Sequence, residues 1–232
     1  MNVIKATTLK LIHTHWLIVM LVLPALYGLL VYWYLGRVDD YEHMFFSYAL
    51  YYNCSLPFGI ALMISLYIRY EEQIGHFNHL LQLPRRGKWL MHMMSFSWIS
   101  VGISTFISCI PLWLLVGDTY SKFIIYYLLL TILFSLPFII ILWFVALRIN
   151  MSLCLGIGIF LSLYLILFGA SSLGDTVWPY IPLLYGTRYL YVIGISDNHA
   201  FFIFSIFLIF TGLLLTFVML WFNRWEGRTI NE

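Results

Sequence analysis

The chain has 232 residues, 62% of them hydrophobic, 19% aromatic and only 9% charged. A soluble domain has about a quarter of its residues charged, so a water-facing surface of ordinary size is excluded. Twelve Lys and Arg against ten Asp and Glu leave a net charge of +2 with no long charged run, which excludes disorder and nucleic-acid binding.

A bilayer core about 30 Å thick needs about 20 apolar residues of helix. Six runs of that order contain no Asp, Glu, Lys or Arg: 16–36, 44–68, 89–116, 123–147, 151–170 and 200–222. They predict an all-α integral membrane protein, one domain over 1–232. Around the six spans lie an amphipathic segment at 1–15, a polar segment at 69–88, a mostly apolar but broken segment at 171–199 and a short tail at 223–232. The first run follows Lys5 and Lys10 like a secretory signal. It is longer than a signal's apolar core and no small-residue cleavage site follows Tyr34, so it is expected to stay in the mature chain.

Basic residues beside the spans set orientation. With the N-terminus inside, Lys5, Lys10, Arg69, Arg85, Arg86, Lys88, Arg148, Arg224 and Arg228 are cytoplasmic, against Arg37, Lys122 and Arg188 outside. Both termini are therefore expected in the cytoplasm. Trp16, Trp33, Trp89, Trp178, Trp221 and Trp225 fall near span ends, where an indole settles at headgroup depth. Cys54, Cys109 and Cys154 are odd in number and lie in apolar runs, so they read as small buried hydrophobes.

Pro24, Pro57, Pro111 and Pro137 sit within the first four spans and each removes a helical hydrogen bond. In the fifth span, Ser152 with Gly156 and Gly158 with Ser162 place small residues four apart. Such a face admits a close partner backbone, from a second copy or from the same chain.

The spans carry no charge, and Asn53 is their most polar deep group, which either bonds across to another helix or touches cargo. No G-x-x-x-x-G-K-[ST] loop occurs, so an uphill transporter would draw its energy from another chain. Neither a G-x-S-x-G turn nor an H-E-x-x-H helix occurs, and no catalytic residue is assigned. His13 with His15, and His76 with His79, lack a third ligand at metal spacing, so no metal site is expected. Adjacent Glu71 and Glu72 leave an intramembrane glutamate hydrolase as a minor alternative, beside a membrane scaffold.

Residues 69–88 read RYEEQIGHFNHLLQLPRRGK. At helical spacing Tyr70, Ile74, Phe77 and Leu81 share one stripe, with Glu72, Gly75, His76 and His79 opposite. The spacing predicts an amphipathic helix at the inner surface, stopped by Pro84 and followed by Arg85, Arg86 and Lys88. The run of Glu72, Gly75, Phe77, Leu80, Leu81, Pro84 and Arg86 resembles the first cytoplasmic loop of the six-helix export permeases of ABC transporters. Within that family it looks most like the small permeases that protect lantibiotic producers from their own peptide. Many related loops have serine before the arginine, where this chain has Arg85.

The resemblance implies that 71–84 is a coupling helix on a cytoplasmic ABC ATPase, with Glu71 and Arg85 also at that contact. Two ATPase copies would hold the ATP and Mg²⁺, and this chain would carry no cofactor. A second permease chain, identical or related, would complete the pathway, in the cytoplasmic membrane of a bacterium. The cargo would be an amphipathic antimicrobial peptide or, alternatively, a lipid or an antibiotic.

Residues 171–199 are too interrupted by Pro179, Pro182 and Gly186 to span. They predict a re-entrant or surface-lying helix pair outside the membrane. There Trp178, Tyr180, Tyr185, Arg188, Tyr189 and Tyr191 either grip cargo or form an interface belt.

Overall fold

The computed structural model describes Trp16 and residues 18–35, 41–75, Phe77, Gln82, 86–192 and 197–227. Among them there is no strand. A π-helical turn, Ile18–Val22, leads into α1 (Leu23–Leu35). Pro24 accounts for the widened turn, because it has no N–H to return to Met20 and its ring crowds that carbonyl.

Helix α2 (Tyr41–Gly75) is 35 residues long. At 1.5 Å per residue that is about 50 Å, more than a bilayer core, so one end of α2 must stand outside the apolar layer. Residues Arg69 to Gly75 are its polar end.

Helix α3 (Arg86–Phe134) is helical over all 49 residues, yet its two arms form a hairpin. Trp98 Nε1 donates to Ile132 O at 2.8 Å, 34 positions later. In a straight helix those atoms would lie about 50 Å apart. The reversal falls between Trp113 and Ile124, which line the same groove. The connection expected at 117–122 is thus made of helical turns rather than open loop.

The second arm runs past Ser135 into α4 (Leu136–Arg148), where Pro137 can donate no bond. The bonds Ser135 N–H to Thr131 O and Ile139 N–H to Ser135 O, both 3.1 Å, carry the helix across. Asn150 then caps α5 (Met151–Tyr164), accepting from Leu153 N–H at 2.7 Å. A π-helical stretch, Leu165–Ala170, ends that rod. Three short 3₁₀ turns follow, Ser172–Gly174, Trp178–Tyr180 and Pro182–Leu184, then α6 (Tyr185–Val192) and α7 (Asp197–Asn223).

Side-chain contacts fix the directions. Trp16 meets Tyr67 while Tyr27 meets Tyr48 and Tyr52, so α1 runs against α2. Tyr67 meets Trp89 while Tyr52 meets Ser104, so the first arm of α3 also opposes α2. The bonds Thr131 to Asn53 and Trp143 to Ser97 turn the second arm and α4 back again. Ser65 bonds Met151 O and Phe58 N–H bonds Ser162, so α5 opposes α2. Phe134 against Phe207 and Phe144 against Phe217 align α7 with α4.

The segments Phe45–Gln73, Arg86–Leu115, Ser121–Arg148, Met151–Ala170 and Phe201–Asn223 are each long and apolar enough to cross a membrane, and Ile18–Tyr34 is an apolar but shorter helix. The outward faces are greasy, with Leu114, Phe201 and Leu213 largely exposed. This is the build of a multi-pass membrane protein, whose lipid-facing side needs no polar cover.

Helix α2 is the hub. Gly158 of α5 lets it approach, since a Cβ there would lie 2.3 Å from Ala61 Cβ. The three cysteines are free and buried, as their apolar runs predict. Of the tryptophans expected in an interface belt, Trp16, Trp89 and Trp225 are instead buried in the bundle, whereas Trp33 is 65% exposed. Rings at one end of the rods pack against one another rather than outward.

Candidate functional site

Two polar regions lie at opposite ends of α2. At its C-terminal end, Glu71 is buried and accepts from Tyr67 O–H at 2.7 Å. A carboxylate in that position needs donors, and the surrounding wall is aromatic. Tyr67 packs on Trp16, Trp89 and Trp143, with centroids 6.4, 6.4 and 5.8 Å away. Trp89 stacks on Phe222, and Phe222 on Trp225. Indole N–H groups bond inward, Trp16 to Ser100 at 3.1 Å and Trp143 to Ser97 at 3.0 Å. Each ring pair of this kind contributes about 0.5–1.5 kcal/mol beyond area burial.

The segment after Glu71 differs from the single helix predicted over 71–84. Residues 71–75 continue α2 without a break, and Phe77 then stands at φ 63°. That left-handed conformation is costly for an aromatic residue and cannot continue a helix. Its ring explains the position: Phe77 is buried edge-on to Trp225, centroids 5.7 Å apart. Arg86 opens α3 and donates from Nη1 to Trp225 O at 2.5 Å. Of the predicted coupling residues, Glu71, Glu72 and Gly75 extend α2, with Glu72 half-buried, and Phe77 and Arg86 converge on Trp225. Leu80, Leu81, Pro84 and Arg85 lie outside the described residues, as do the two histidine pairs and segment 1–15.

At the other end, 171–192 folds back onto the bundle. Asn53 Nδ2 donates to Gly186 O at 2.7 Å, and Thr131 donates to Asn53 Oδ1 at 3.1 Å. The cavity beside Asn53 holds about 10 Å³, too little for cargo. Of the two roles the sequence leaves to Asn53, the geometry serves the bond between helices. Arg188 donates to Asp175, to Phe168 O and to Ser171 O, fastening α6 to the carbonyls that end the α5 rod. Tyr185 is fully buried and donates to Pro179 O at 2.6 Å. Burial pushes its phenol up to about 12, so it stays a neutral donor near pH 7. Trp178 is half-buried against Tyr185, while Tyr180 is 76% exposed. The side chains of Tyr189 and Tyr191 lie outside the described ones. Of the predicted cargo-gripping set, only Tyr180 is seen facing outward.

The small-residue pairs of α5 divide likewise. Gly158 and Ser162 pack on α2, whereas Ser152 and Gly156 face outward, with nothing within 4 Å of a Cβ at Gly156.

Beside Asn53, toward the N-terminal end of α2, runs a polar seam that residue-by-residue reading missed. Tyr27 donates to Tyr48 O at 2.8 Å, Tyr48 to Ser108 O, and Tyr52 pairs with Ser104 at 3.1 Å. Its signal was present in spacing: Ser97, Ser100, Ser104 and Ser108 recur every three or four residues along one face of α3.

Compared with known proteins, the chain matches no family model, no curated protein and no solved structure. Basic residues sort by end in the bundle. Arg69, Arg86, Lys88, Arg148 and Arg224 share the Glu71 end with Trp16 and Trp225, and Arg188 lies at the opposite end.

Proposed function

We propose that this chain is the permease subunit of an ATP-driven ABC exporter in the cytoplasmic membrane of a bacterium. The Glu71 end faces the cytoplasm in this reading, supported by its share of Arg and Lys. The partners are two copies of a cytoplasmic ATPase, which bind ATP and Mg²⁺, and a second permease chain. The cargo is an amphipathic antimicrobial peptide, expelled from the producer's own membrane. The chain itself performs no covalent chemistry.

One observation carries the reading: the segment between Glu71 and Arg86 is fastened to several rods at once. The segment leaves α2 at Gly75, Phe77 packs on Trp225 after α7, and Arg86 joins the start of α3 to that same Trp225. A push on this segment by a closing ATPase would move α2, α3 and α7 together. In the sequence, charge-free spans and the lack of a phosphate-binding loop support an energy source on another chain for an uphill transporter.

The test is to tag the full chain in its native host, extract it gently and identify what travels with it. A stoichiometric chain bearing G-x-x-x-x-G-K-[ST] is expected, and Glu72→Lys is expected to lower its recovery while the permease still reaches the membrane. Recovery of the chain alone after mild crosslinking would overturn the proposal.

A further inference from the structure

A cleft of about 220 Å³ opens between α1, α2 and the first arm of α3. Its walls are apolar, including Val19, Leu23, Pro24, Leu56, Ile60 and Met63. Four hydroxyls also line it, those of Tyr27, Tyr52, Ser55 and Ser104. Pro24 and the π-helical turn before it form part of the rim, so the irregular start of α1 helps to shape the opening.

The protons of these hydroxyls can be followed one at a time. Tyr27 donates to Tyr48 O at 2.8 Å and Ser55 to Tyr52 O at 2.8 Å. Tyr52 and Ser104 share a bond at 3.1 Å, and Tyr52 also reaches Thr105 Oγ1 at 3.4 Å. Thr105 in turn donates to Val101 O at 2.8 Å. With Ser104 donating to Tyr52 and Tyr52 to Thr105, every proton has an acceptor inside the protein. The oxygens of Ser55 and Ser104 keep their lone pairs, and that of Tyr27, which the Tyr52 N–H also meets, keeps one. In a lipid-facing cleft no bulk water satisfies them.

We propose that this cleft binds an apolar chain carrying a hydrogen-bond donor, an amide N–H or a hydroxyl, whose donor meets the oxygens of Tyr27, Ser55 and Ser104. An ordinary ester lipid offers only acceptors along its chain and cannot make that contact. The assignment goes beyond the export reading and does not depend on a partner ATPase, since all its residues belong to this chain.

Three photoreactive amphiphiles of equal chain length test it on the purified full chain in lipid nanodiscs: a fatty alcohol, a fatty primary amide and a fatty methyl ester. Crosslinks are mapped by mass spectrometry. The alcohol and amide are expected to label cleft residues about three- to tenfold more than the ester, the factor one hydrogen bond contributes. Gly59 lines the cleft and a Cβ there would meet nothing within 4 Å, so Gly59→Phe is expected to fill the space and cut all labelling. Ser104→Ala and Tyr27→Phe are expected to shrink the alcohol-to-ester ratio while ester labelling persists, which also covers the case that Gly59→Phe misfolds. Equal labelling by the three probes would overturn donor recognition and leave a groove that any bilayer chain fills. Labelling confined to other surfaces would overturn the site itself.

Discussion

The two ends of α2 are held by different physics. At the Glu71 end, rings dominate: Trp16, Tyr67, Trp89, Trp143, Phe222 and Trp225 stack or meet edge-on, and their few polar atoms bond inward. At the Arg188 end, short helical turns are tied by hydrogen bonds from Asn53, Thr131, Tyr185 and Arg188 to backbone or side-chain oxygens. The difference follows from chain geometry. Long rods that meet side by side leave a volume for side chains to fill. A broken segment such as 171–192 exposes carbonyls that no helix satisfies, and these need donors. The ring-packed end is expected to move as one piece, and the bond-tied end to open by steps.

The largest test of that contrast is Trp143→Ala. Trp143 is fully buried between Tyr67 and Trp89, and its loss is expected to cost about 3–5 kcal/mol. Loss of near-ultraviolet circular dichroism and a lower thermal midpoint in detergent would register it, and a midpoint near wild type would show that the ring cluster is not cooperative. Arg188→Ala is expected to be smaller, about 2–3 kcal/mol, and local, since its donors hold Phe168 O, Ser171 O and Asp175. Limited proteolysis should then cut within 171–192 while the tryptophan signal is retained. A concerted loss of both would erase the distinction between the ends.

Asn53→Leu removes both the bond to Gly186 O and the acceptor for Thr131, at an expected cost of about 1–2 kcal/mol. Hydrogen exchange at α6 should rise while exchange at Arg86 to Met93 stays unchanged. The smallest effect is expected for Asp175→Asn, below about 1 kcal/mol, because the Asp175 side chain is 58% exposed to solvent. A cost above that of Arg188→Ala would mean that the ion pair, rather than the carbonyl bonds, fastens the segment.

The apolar rods were legible because a run without charges and a bilayer's thickness leave little choice of element, and the hairpin within α3 falls where the charged pair Asp118 and Lys122 interrupts its apolar arms. The buried cysteines were legible for the same reason, while the small-residue spacing of Gly158 left a second copy and the same chain open as its neighbour. The aromatic box was not. Position near a span end places Trp16, Trp89 and Trp225 equally well in a headgroup belt or in a core, and only their contacts with Tyr67 and Phe222 chose the core. Phe77 shows the same limit. Its place on an apolar stripe fitted a helix, but the helix stops before it, because burying the ring on Trp225 requires a left-handed turn that no helical periodicity encodes.

By itself, then, the sequence determined the solvent: a chain with 9% charged residues lacks the polar cover of a water-borne fold, and its uncharged runs of about 20 residues suit helices in an apolar layer. It also determined which end of each rod carries charge. The tertiary structure alone decided which polar groups meet. Asn53 with Gly186, Arg86 with Trp225, and Tyr52 with Ser104 are separated by 133, 139 and 52 positions. Periodicity assigns a residue to a face of its own helix. It says nothing of which other helix that face will meet, and the cleft, the ring cluster and the fastened segment all arise from those meetings.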